Sequence, residues 1–384
     1  MDWESGRSKT ITFIVTKDCQ LACRYCYLVG KNSNERMTFE VAKAAVDYVL
    51  RQPFKEDSVI WEFIGGEPFL EIDLIDQITD YIKIELFRLN HKWFNSYRLS
   101  FSTNGINYSS EKVQSYILKN KEHISVGITI DGTKKKHDIN RIYKYSNNGS
   151  YDDVVASIPL WLKQFPNAST KVTISHEDLP FIKESVLHLF ELGIHEVNIN
   201  VVFEDVWKDG DDTLFENQLT DLADEIIDLN LFNDFTCSFF SDYIGKPLDI
   251  EKDNQNWCGA GIMLSVDANG DFYPCTRFAQ YSLRSKKAIK IGNIRDGIDS
   301  NKLRPFLSLD RSTQSPSQCI KCDVASGCAW CQGENYDSAC SHTVFERSKS
   351  ICKMHKAQVH ANNYYWNKLY RVIEIEKKEK NLSK

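Results

Sequence analysis

Short apolar runs alternate with amphipathic segments along residues 11–229. Six runs have the length of buried strands and end in polar or glycine-containing turns, at 11–15, 59–64, 99–101, 124–130, 172–175 and 197–202. Between them, apolar side chains recur every three or four residues, which predicts helices near 39–50, 75–82, 111–118, 182–192 and 219–229. Thr38 precedes the first of these segments and is predicted to cap its helix.

Strands that alternate with helices at this spacing predict βαβ units around a parallel sheet. Six units are too few for a closed eightfold barrel, so the predicted fold class is α/β with a partial (β/α)6 TIM-like barrel. Crossover connections bring the C-terminal ends of parallel strands to one face, where such folds carry active sites. Polar motifs follow the strands at this face, at 19–26, 65–68, 102–105 and 131–132.

Composition narrows the function classes. The chain has 384 residues, of which 42% are hydrophobic, and this is enough for a large core and two domains. The net charge is −6 with acidic and basic residues mixed along the chain, so no nucleic-acid partner is expected. Apolar runs are too short for a membrane span, and the N-terminus lacks the apolar core of a signal peptide. A cytoplasmic protein without a membrane partner is predicted.

Twelve cysteines in a cytoplasmic chain are better explained as metal ligands than as disulfides. Three lie at 19–26 and eight between 258 and 352, which predicts one centre in a catalytic domain and others in a C-terminal domain. The remaining one, Cys237, is expected to be a core residue.

The first group consists of Cys19, Cys23 and Cys26. Three thiolates hold a cubane iron–sulfur cluster while leaving one iron without a protein ligand, and such an iron can bind and reduce another molecule. A zinc site is the alternative, but structural zinc favours paired Cys-x2-Cys knuckles and four ligands. The spacing therefore favours a reactive cluster.

With these motifs, the first 205 residues resemble the radical S-adenosylmethionine (SAM) enzymes. The resemblance implies that Cys19, Cys23 and Cys26 hold a [4Fe–4S] cluster whose open iron is chelated by SAM. Tyr25 would approach the adenine. The resemblance also implies further SAM contacts. The glycines allow close backbone approach, Glu67 holds its loop, and the remaining residues lie near the amino, ribose and methionine groups. These residues are Gly65, Gly66, Glu67, Pro68, Ser102, Asn104 and Thr129.

A further stretch resembles the family's segment after the fourth strand. It contains Asp131 and Arg141, which are candidate catalytic residues. Arg141 is expected either to pair with a carboxylate or to form a structural ion pair. His176 follows the fifth strand and is expected to be a loop histidine with its hydrogen bonds satisfied; a position facing the cavity is the alternative.

The second half resembles the SPASM extension of this superfamily, which binds auxiliary [4Fe–4S] clusters. The resemblance implies an outer cluster held by Cys319, Cys322, Cys328 and Cys352, and an inner one held by Cys258, Cys275 and Cys331. Including the SAM-binding cluster, three clusters are expected. A zinc ribbon built from the Cys319/Cys322 and Cys328/Cys331 pairs is the alternative.

The SPASM pattern is modified at two positions. The gap between Cys328 and Cys331 is one residue shorter than usual, and Gly261 stands where some relatives place another inner-cluster ligand. The inner cluster is thus expected either to have an open iron or to use Cys340. The predicted domains are a barrel at 1–205, a bridging region at 206–257, a SPASM domain with a β-hairpin and helices at 258–355, and a C-terminal helix at 356–384.

The resemblance implies a radical SAM oxidoreductase that cleaves SAM to methionine and a 5′-deoxyadenosyl radical. SPASM enzymes mostly modify ribosomally synthesised peptides, and an open auxiliary iron suits binding of a substrate thiolate. The predicted function is therefore a maturase that forms thioether cross-links in a precursor peptide. A flavodoxin or ferredoxin is expected to donate electrons.

Several alternatives remain open. Sulfatase maturases, which make formylglycine, carry an Asp directly after the cysteine at the position of Cys275, whereas Thr276 and Arg277 follow here. Arg277 is predicted to neutralise an acidic substrate side chain. Ten residues precede the first strand, fewer than a leader-binding domain, so a separate protein is expected to present the leader unless it docks elsewhere. Carbon–carbon cross-linking, a non-enzymatic iron–sulfur carrier and a zinc-binding module are further alternatives.

Overall fold

Parallel strands joined by helices build the first part of the chain. The computed structural model describes residues 8–31, 33–338 and 343–382. Its barrel strands are β1 (Ser8–Thr16), β2 (Ser58–Gly65), β3 (Tyr97–Thr103), β4 (Ile124–Ile128), β5 (Thr170–Ile174), β6 (Glu196–Val201) and β7 (Thr236–Cys237). Strands β1 to β4 pair in parallel in chain order, and so do β5 to β7. A parallel bridge between Thr129 and Lys171 connects the two groups. The predicted α/β class with a parallel core is confirmed.

Helices cover the outer face of these strands. The first is α1 (Phe39–Leu50), and it begins where the sequence predicts because the Thr38 side chain accepts a hydrogen bond from the Val41 amide. The others in this part are α2 (Ile72–Arg88), α3 (Glu111–Lys119), α4 (Lys134–Asn140), α5 (Tyr151–Val155), α6 (Ile158–Gln164), α7 (Ile182–Glu191) and α8 (Asp211–Asp228). Helical crossovers connect β1 to β4 within one sheet and β5 to β7 within the other, as parallel pairing requires.

The two faces of the barrel strands differ in character. Phe13, Phe63 and Phe101 form a row across β1, β2 and β3 under the helices, with neighbouring ring centroids 5.6 and 5.4 Å apart. Each fully buried ring contributes about 1.5–3 kcal/mol to the free energy of folding. Several residues of the opposite parity carry polar groups, and Thr12 donates a 2.7 Å hydrogen bond to Glu62 there. The barrel therefore combines an apolar outer layer with polar side chains on its inner face.

The C-terminal half extends the barrel sheet. Strands β8 (Leu264–Val266) and β9 (Asp271–Tyr273) form the predicted hairpin, and β10 (Gly292–Asn293) and β11 (Gly297–Ile298) continue it. Gly270 adopts a φ of +75° in the hairpin turn, a conformation that favours glycine. Because β8 pairs in parallel with β1, both halves share one eight-stranded sheet.

Short helices and one long helix complete the fold. They are α9 (Ile250–Asp253), α10 (Ser300–Leu307), α11 (Arg311–Gln314), α12 (Ser317–Ile320), α13 (Gln332–Ser338) and α14 (Cys352–Leu382). The long helix α14 packs along α8, where Tyr364 and Lys368 contact Asp224 at 2.7 and 2.9 Å. Within the described ranges, every helix is too short or too polar to cross a bilayer.

The elements differ from the sequence-based expectation mainly between 203 and 243. Helix α8 begins eight residues earlier than the pattern indicates, because Phe215 is buried and Asp211 and Asp212 favour the helix start. The stretch at 232–243 contains β7, whose two residues pair with β6. Two residues are too few to show the alternation of apolar and polar side chains from which a strand is predicted. Cys237 lies in β7 and is buried, as expected.

Candidate active site

The loop after β1 brings three cysteines together. The Cys26 amide donates a 3.1 Å hydrogen bond to the Cys23 carbonyl, and the Leu21 amide donates at 3.3 Å to the Cys19 sulfur. Burial raises the pKa of Cys19 to about 11, and the Cys23 thiol also acts to raise it. Burial likewise raises the pKa of Cys23, and the neighbouring Cys26 thiol also acts to raise it. Neighbouring thiols that resist ionisation require a cation to become thiolates, so this donor set fits an iron–sulfur cluster.

Gly65 and Gly66 bring the end of β2 against the start of this loop. The Gly66 amide donates to the Thr16 carbonyl at 3.0 Å. A Cβ on Gly66 would lie 2.2 Å from the Asp18 carbonyl oxygen and 2.9 Å from the Cys19 Cβ. A Cβ on Gly65 would lie 2.4 Å from the Thr16 carbonyl oxygen. The two glycines are therefore required by close backbone contact beside the cysteines.

Glu67 joins the ends of β2 and β3. Its buried carboxylate accepts hydrogen bonds from the Phe69 amide at 3.1 Å, the Thr103 hydroxyl at 2.7 Å and the Asn104 amide at 2.7 Å. Pro68 follows as the first residue of a short 3-10 helix (Pro68–Glu71). The segment is thus rigid, and its contact with SAM stays a prediction.

The remaining residues predicted to contact SAM lie at the ends of β3 and β4. The Asn104 side-chain nitrogen lies 3.9 Å from the Cys19 sulfur and 3.1 Å from Gln20 Oε1. Ser102 accepts a 3.1 Å hydrogen bond from Lys171, the residue that bridges to half-buried Thr129. Asn104 therefore contacts the cysteine loop directly, whereas Ser102 and Thr129 lie together at the junction of the two strand groups.

Tyr25 connects Asp131 with Arg141. The Tyr25 hydroxyl donates to the Asp131 carboxylate, and Arg141 Nη1 donates to the same hydroxyl at 3.0 Å. Burial acts to raise the pKa of Asp131, but the charges of Lys136 and Arg141 outweigh it and hold that pKa below its usual value. The Arg141 Nε is buried and has no hydrogen-bond partner among the described residues. A carboxylate-bearing ligand beside Tyr25 fits this orphaned donor.

A cavity of about 360 Å³ opens beside Tyr25 and Cys26. Its walls come from the cysteine loop, from the segments after β5 and β6, and from the C-terminal half, and they include His176, Glu204 and Arg284. Apart from Asn140 at the end of α4, the barrel residues of the lining follow C-terminal strand ends, which is the face that the sequence predicts. The volume is within the range of small-molecule and cofactor sites.

Arg277 lies between this cavity and the C-terminal cysteines. Its Nη2 donates to Glu204 at 3.0 Å and to Glu334 at 2.9 Å, and its guanidinium stacks 4.7 Å from the Tyr27 ring centroid. Arg284 also donates to Glu334, at 2.6 Å. Burial and the nearby Glu204 charge raise the pKa of Glu334 to about 7, against the effect of the two arginines. The chain itself supplies two carboxylates to Arg277, so its predicted contact with an acidic substrate stays a prediction.

The four cysteines assigned to the outer cluster surround one cavity. Its volume is about 300 Å³, and its lining includes Cys319, Cys322, Cys328 and Cys352. Arg347 Nη2 donates to the Cys328 sulfur at 3.1 Å. Among the described residues, no three metal-binding side chains converge closely enough for a single ion. Four thiols around a wider space fit a cubane cluster, and Cys352, not Cys331, is the fourth cysteine of this lining.

The three cysteines assigned to the inner cluster are also neighbours. Burial raises the pKa of Cys275 far above its usual value, and the thiols of Cys258 and Cys331 add to this effect. Gly261 has a φ of +88°, and a Cβ there would lie 2.6 Å from the Phe306 Cβ. The structure thus has no room for a cysteine at 261. The other expected ligand, Cys340, lies outside the described residues.

His176 lies 2.8–2.9 Å from the Asp211 carboxylate, so its ring is hydrogen-bonded as expected, and it also lines the cavity, which was the alternative left open. Two other charged residues of the lining were not identified from the sequence. Glu204 and Arg284 belong to no spacing motif. Glu204 nevertheless follows β6, and the rule that favours polar residues after barrel strands indicates such a position.

Comparisons of the amino-acid sequence agree with this geometry. Residues 13–179 match the Radical SAM superfamily. The chain is 28% identical to the uncharacterized protein MJ0907 of Methanocaldococcus jannaschii, covering 77% of this chain and 91% of that protein. It is 22% identical to the serine-type anaerobic sulfatase-maturating enzyme of Bacteroides thetaiotaomicron (81% and 78% covered). It is 21% identical to the radical SAM cyclopropyl synthase TigE of Paramaledivibacter caminithermalis (97% and 76% covered).

Two solved structures share the fold. Native anSMEcpe with bound AdoMet and Cp18Cys peptide has a TM-score of 0.70 at 20% identity, covering 95% of this chain and 98% of that one. Streptococcus suis SuiB bound to the precursor peptide SuiA has a TM-score of 0.56 at 15% identity, covering 89% and 75%.

A partial barrel with a three-cysteine loop at its catalytic face defines a class of iron–sulfur enzymes. Residues 13–179 form a radical SAM domain, so this chain is a radical SAM enzyme, and its C-terminal region is rich in cysteine. Its cofactors include SAM and a [4Fe–4S] cluster. The family recognised from the sequence motifs is therefore confirmed.

Proposed function

We propose that this enzyme is a SPASM-type maturase that forms thioether cross-links in a ribosomally synthesised precursor peptide. The observation that carries the proposal is the position of the 360 Å³ cavity, which both halves of the chain line. Cys26 borders it on the barrel side. Arg284 borders it from the C-terminal half. Nearby, Arg277 contacts Tyr27 of the cysteine loop and follows Cys275 of the inner set by two residues. A peptide bound there would lie between the two sets of cysteines.

The barrel residues would hold the first cluster and SAM. Cys19, Cys23 and Cys26 would ligate the cluster, and the buried Arg141 Nε offers a donor for the carboxylate of SAM. When bound, the cluster and SAM supply a 5′-deoxyadenosyl radical, which removes a hydrogen atom from an unactivated carbon. The glycines and Glu67 would hold SAM in one orientation, because close contacts and three hydrogen bonds fix their backbone.

The C-terminal cysteines would hold two auxiliary clusters, giving three in total. Cys319, Cys322, Cys328 and Cys352 supply four thiols around one cavity, which suits a fully ligated outer cluster. Cys258, Cys275 and Cys331 supply three, and the close contact between Gly261 and Phe306 excludes a ligand there. A position left for a substrate thiolate suits carbon–sulfur bond formation, since a coordinated thiol is already deprotonated.

A peptide substrate is supported by two structural neighbours with bound peptides. SuiB binds its precursor peptide SuiA, and anSMEcpe binds the Cp18Cys peptide. The proposal includes a small electron-donor protein such as flavodoxin or ferredoxin. It also includes either a separate leader-binding protein or another docking site for the leader.

Two alternative reactions have specific support. Formylglycine formation is supported by the sulfatase-maturating relative, but Thr276 stands where that group carries an Asp after the cysteine. Carbon–carbon bond formation is supported by the likeness to TigE, whose name describes a cyclopropyl synthase.

The test is anaerobic incubation of the reconstituted enzyme with SAM, a strong reductant and a cysteine-containing precursor peptide encoded beside it. A thioether removes two hydrogens per cross-link and blocks alkylation of the cysteine, and tandem mass spectrometry locates the new bond. A hydrazine-reactive aldehyde would instead indicate formylglycine. Loss of hydrogens with every cysteine still open to alkylation would indicate carbon–carbon bond formation.

A further inference from the structure

A histidine–aspartate pair lies at the edge of the barrel cavity. His176 begins the short 3-10 helix after β5 (His176–Phe181), and Asp211 begins α8. The Nδ1 of His176 lies 2.9 and 2.8 Å from the two Asp211 carboxylate oxygens. Asp211 is buried, and its Oδ2 also accepts a 2.8 Å hydrogen bond from the Lys208 amide. The carboxylate is therefore fixed, and it orients the imidazole.

This orientation leaves one ring nitrogen for chemistry in the cavity. With Nδ1–H donated to a carboxylate, Nε2 carries the lone pair and can accept a proton. The His176 side chain lines the same cavity as Tyr25 and Cys26 and is 27% exposed. A carboxylate that holds one ring nitrogen orients the imidazole so that the other nitrogen faces the reacting group.

Other carboxylates at the cavity are less suited to accept a proton. Glu204 is held by Arg277 at 3.0 Å. Glu177 accepts a 3.3 Å hydrogen bond from the Ser175 hydroxyl. The charged groups that face His176 or share its cavity are Asp211 from α8, Glu177 from its own helix, Glu204 and Lys208 from the loop after β6, Arg24 from the cysteine loop, and Arg284.

We propose that His176 is the proton acceptor for the substrate and that Asp211 is its positioning residue. This rests on the proposed function. A new carbon–sulfur bond replaces one C–H bond and one S–H bond. The first hydrogen leaves as an atom and ends in 5′-deoxyadenosine. The second leaves as a proton to Nε2 of His176 when the substrate thiol becomes the thiolate. The remaining electron passes to a one-electron acceptor of the iron–sulfur class.

The test compares His176→Gln and Asp211→Asn with the wild-type holoenzyme. The control is His360→Gln, which alters another histidine–carboxylate pair, His360 with Glu216 at 3.2 Å, on exposed surface. Each protein is assayed for cross-linked peptide and for 5′-deoxyadenosine over a range of pH. Wild-type production of both compounds tests the proposed function separately from the role of His176.

We expect His176→Gln to lower cross-link formation roughly a hundredfold, the scale of general-base catalysis, while 5′-deoxyadenosine formation changes little. The acidic limb of the pH profile of product formation should disappear in this variant, because a glutamine side chain does not titrate. Asp211→Asn should lower product formation roughly tenfold, because the imidazolium loses its counter-charge. His360→Gln should behave as wild type.

A second measurement does not depend on turnover. Diethylpyrocarbonate modifies neutral imidazole nitrogens, and mass spectrometry of the holoenzyme reports each histidine separately. Bound precursor peptide should protect His176 and leave His360 reactive. An unchanged ratio of cross-link to 5′-deoxyadenosine in His176→Gln, with the acidic limb of the pH profile retained, would overturn the proposal. Full reactivity of His176 under saturating peptide would overturn it as well.

Discussion

The guanidinium of Arg347 lies 3.1 Å from the sulfur of Cys328. The same side chain donates to the Cys328 carbonyl at 3.2 Å and stacks 4.8 Å from the Trp330 ring centroid. Arg311 lies over the same ring at 5.0 Å and donates to the Ala325 carbonyl, not to a cysteine. Arg347 is thus placed to stabilise negative charge on the Cys328 thiolate. Arg311 stacks on the same Trp330 ring but makes no hydrogen bond to this sulfur.

The first prediction concerns the outer cluster. Arg347→Met should lower its reduction potential, because a charge-assisted N–H···S bond stabilises the reduced and more negative state. Protein film voltammetry or a redox titration followed by electron paramagnetic resonance measures the change. Arg311→Met is the control, and it should shift the potential less. Equal shifts in the two variants would contradict a specific effect of the hydrogen bond.

The second prediction concerns the contact between Gly66 and the cysteine loop. Gly66→Ala should displace Asp18 and Cys19, because its Cβ would lie 2.2 Å from a carbonyl oxygen. We expect loss of SAM binding and of the iron of one cubane, about four atoms per chain. Gly127→Ala is the matched control, since its Cβ would meet only ordinary contacts at 3.7 and 3.8 Å. Full iron content and SAM binding in Gly66→Ala would contradict the structure at this point.

The third prediction concerns the number of clusters. Anaerobic iron and sulfide analysis should give about twelve irons per chain, as three cubanes require. Replacing Cys19, Cys23 and Cys26 together by Ala should leave about eight and abolish formation of 5′-deoxyadenosine. About four irons in the wild-type protein would remove the two auxiliary clusters from the proposal.

The fourth prediction concerns the missing ligand of the inner cluster. Gly261→Cys should not increase iron binding, because the position has a φ of +88° and its Cβ would meet Phe306. The variant should lose about 1–3 kcal/mol of unfolding free energy through backbone strain. Denaturant unfolding and metal analysis of the same preparation measure both effects. A stable variant with a newly coordinated thiol would show that the inner site is more open than the structure indicates.

The fifth prediction separates a structural role of Arg277 from substrate binding. Arg277→Gln leaves Glu204 and Glu334 without this partner and should destabilise the protein by about 3–5 kcal/mol. Adding Glu204→Gln should restore part of this loss, which a double-mutant cycle measures. Unchanged stability with selective loss of activity toward acidic peptides would instead favour direct contact between Arg277 and the substrate.

Local sequence patterns indicated much of the barrel and part of the site. Three features carried this information: the apolar run before Cys19, the spacing of the three cysteines, and the glycines at 65 and 66. Within each feature, the residues lie only a few positions apart. The local structure that such features adopt depends on backbone conformation and on contacts between residues close in sequence, and a short motif encodes both. The start of α1 was predicted for the same reason.

The contacts that complete the site join residues distant in sequence. Leu264 pairs with Ile11 across the shared sheet, Cys352 joins cysteines about thirty residues earlier, and His176 meets Asp211 from a different helix. Such contacts arise from the packing of whole elements, whose free energy is spread over many apolar residues and leaves no spacing motif. The amino-acid sequence by itself therefore determined the class of chemistry and the face that carries it. Only the tertiary structure decided which charged groups line the cavity, because side chains from both halves meet there through long-range packing.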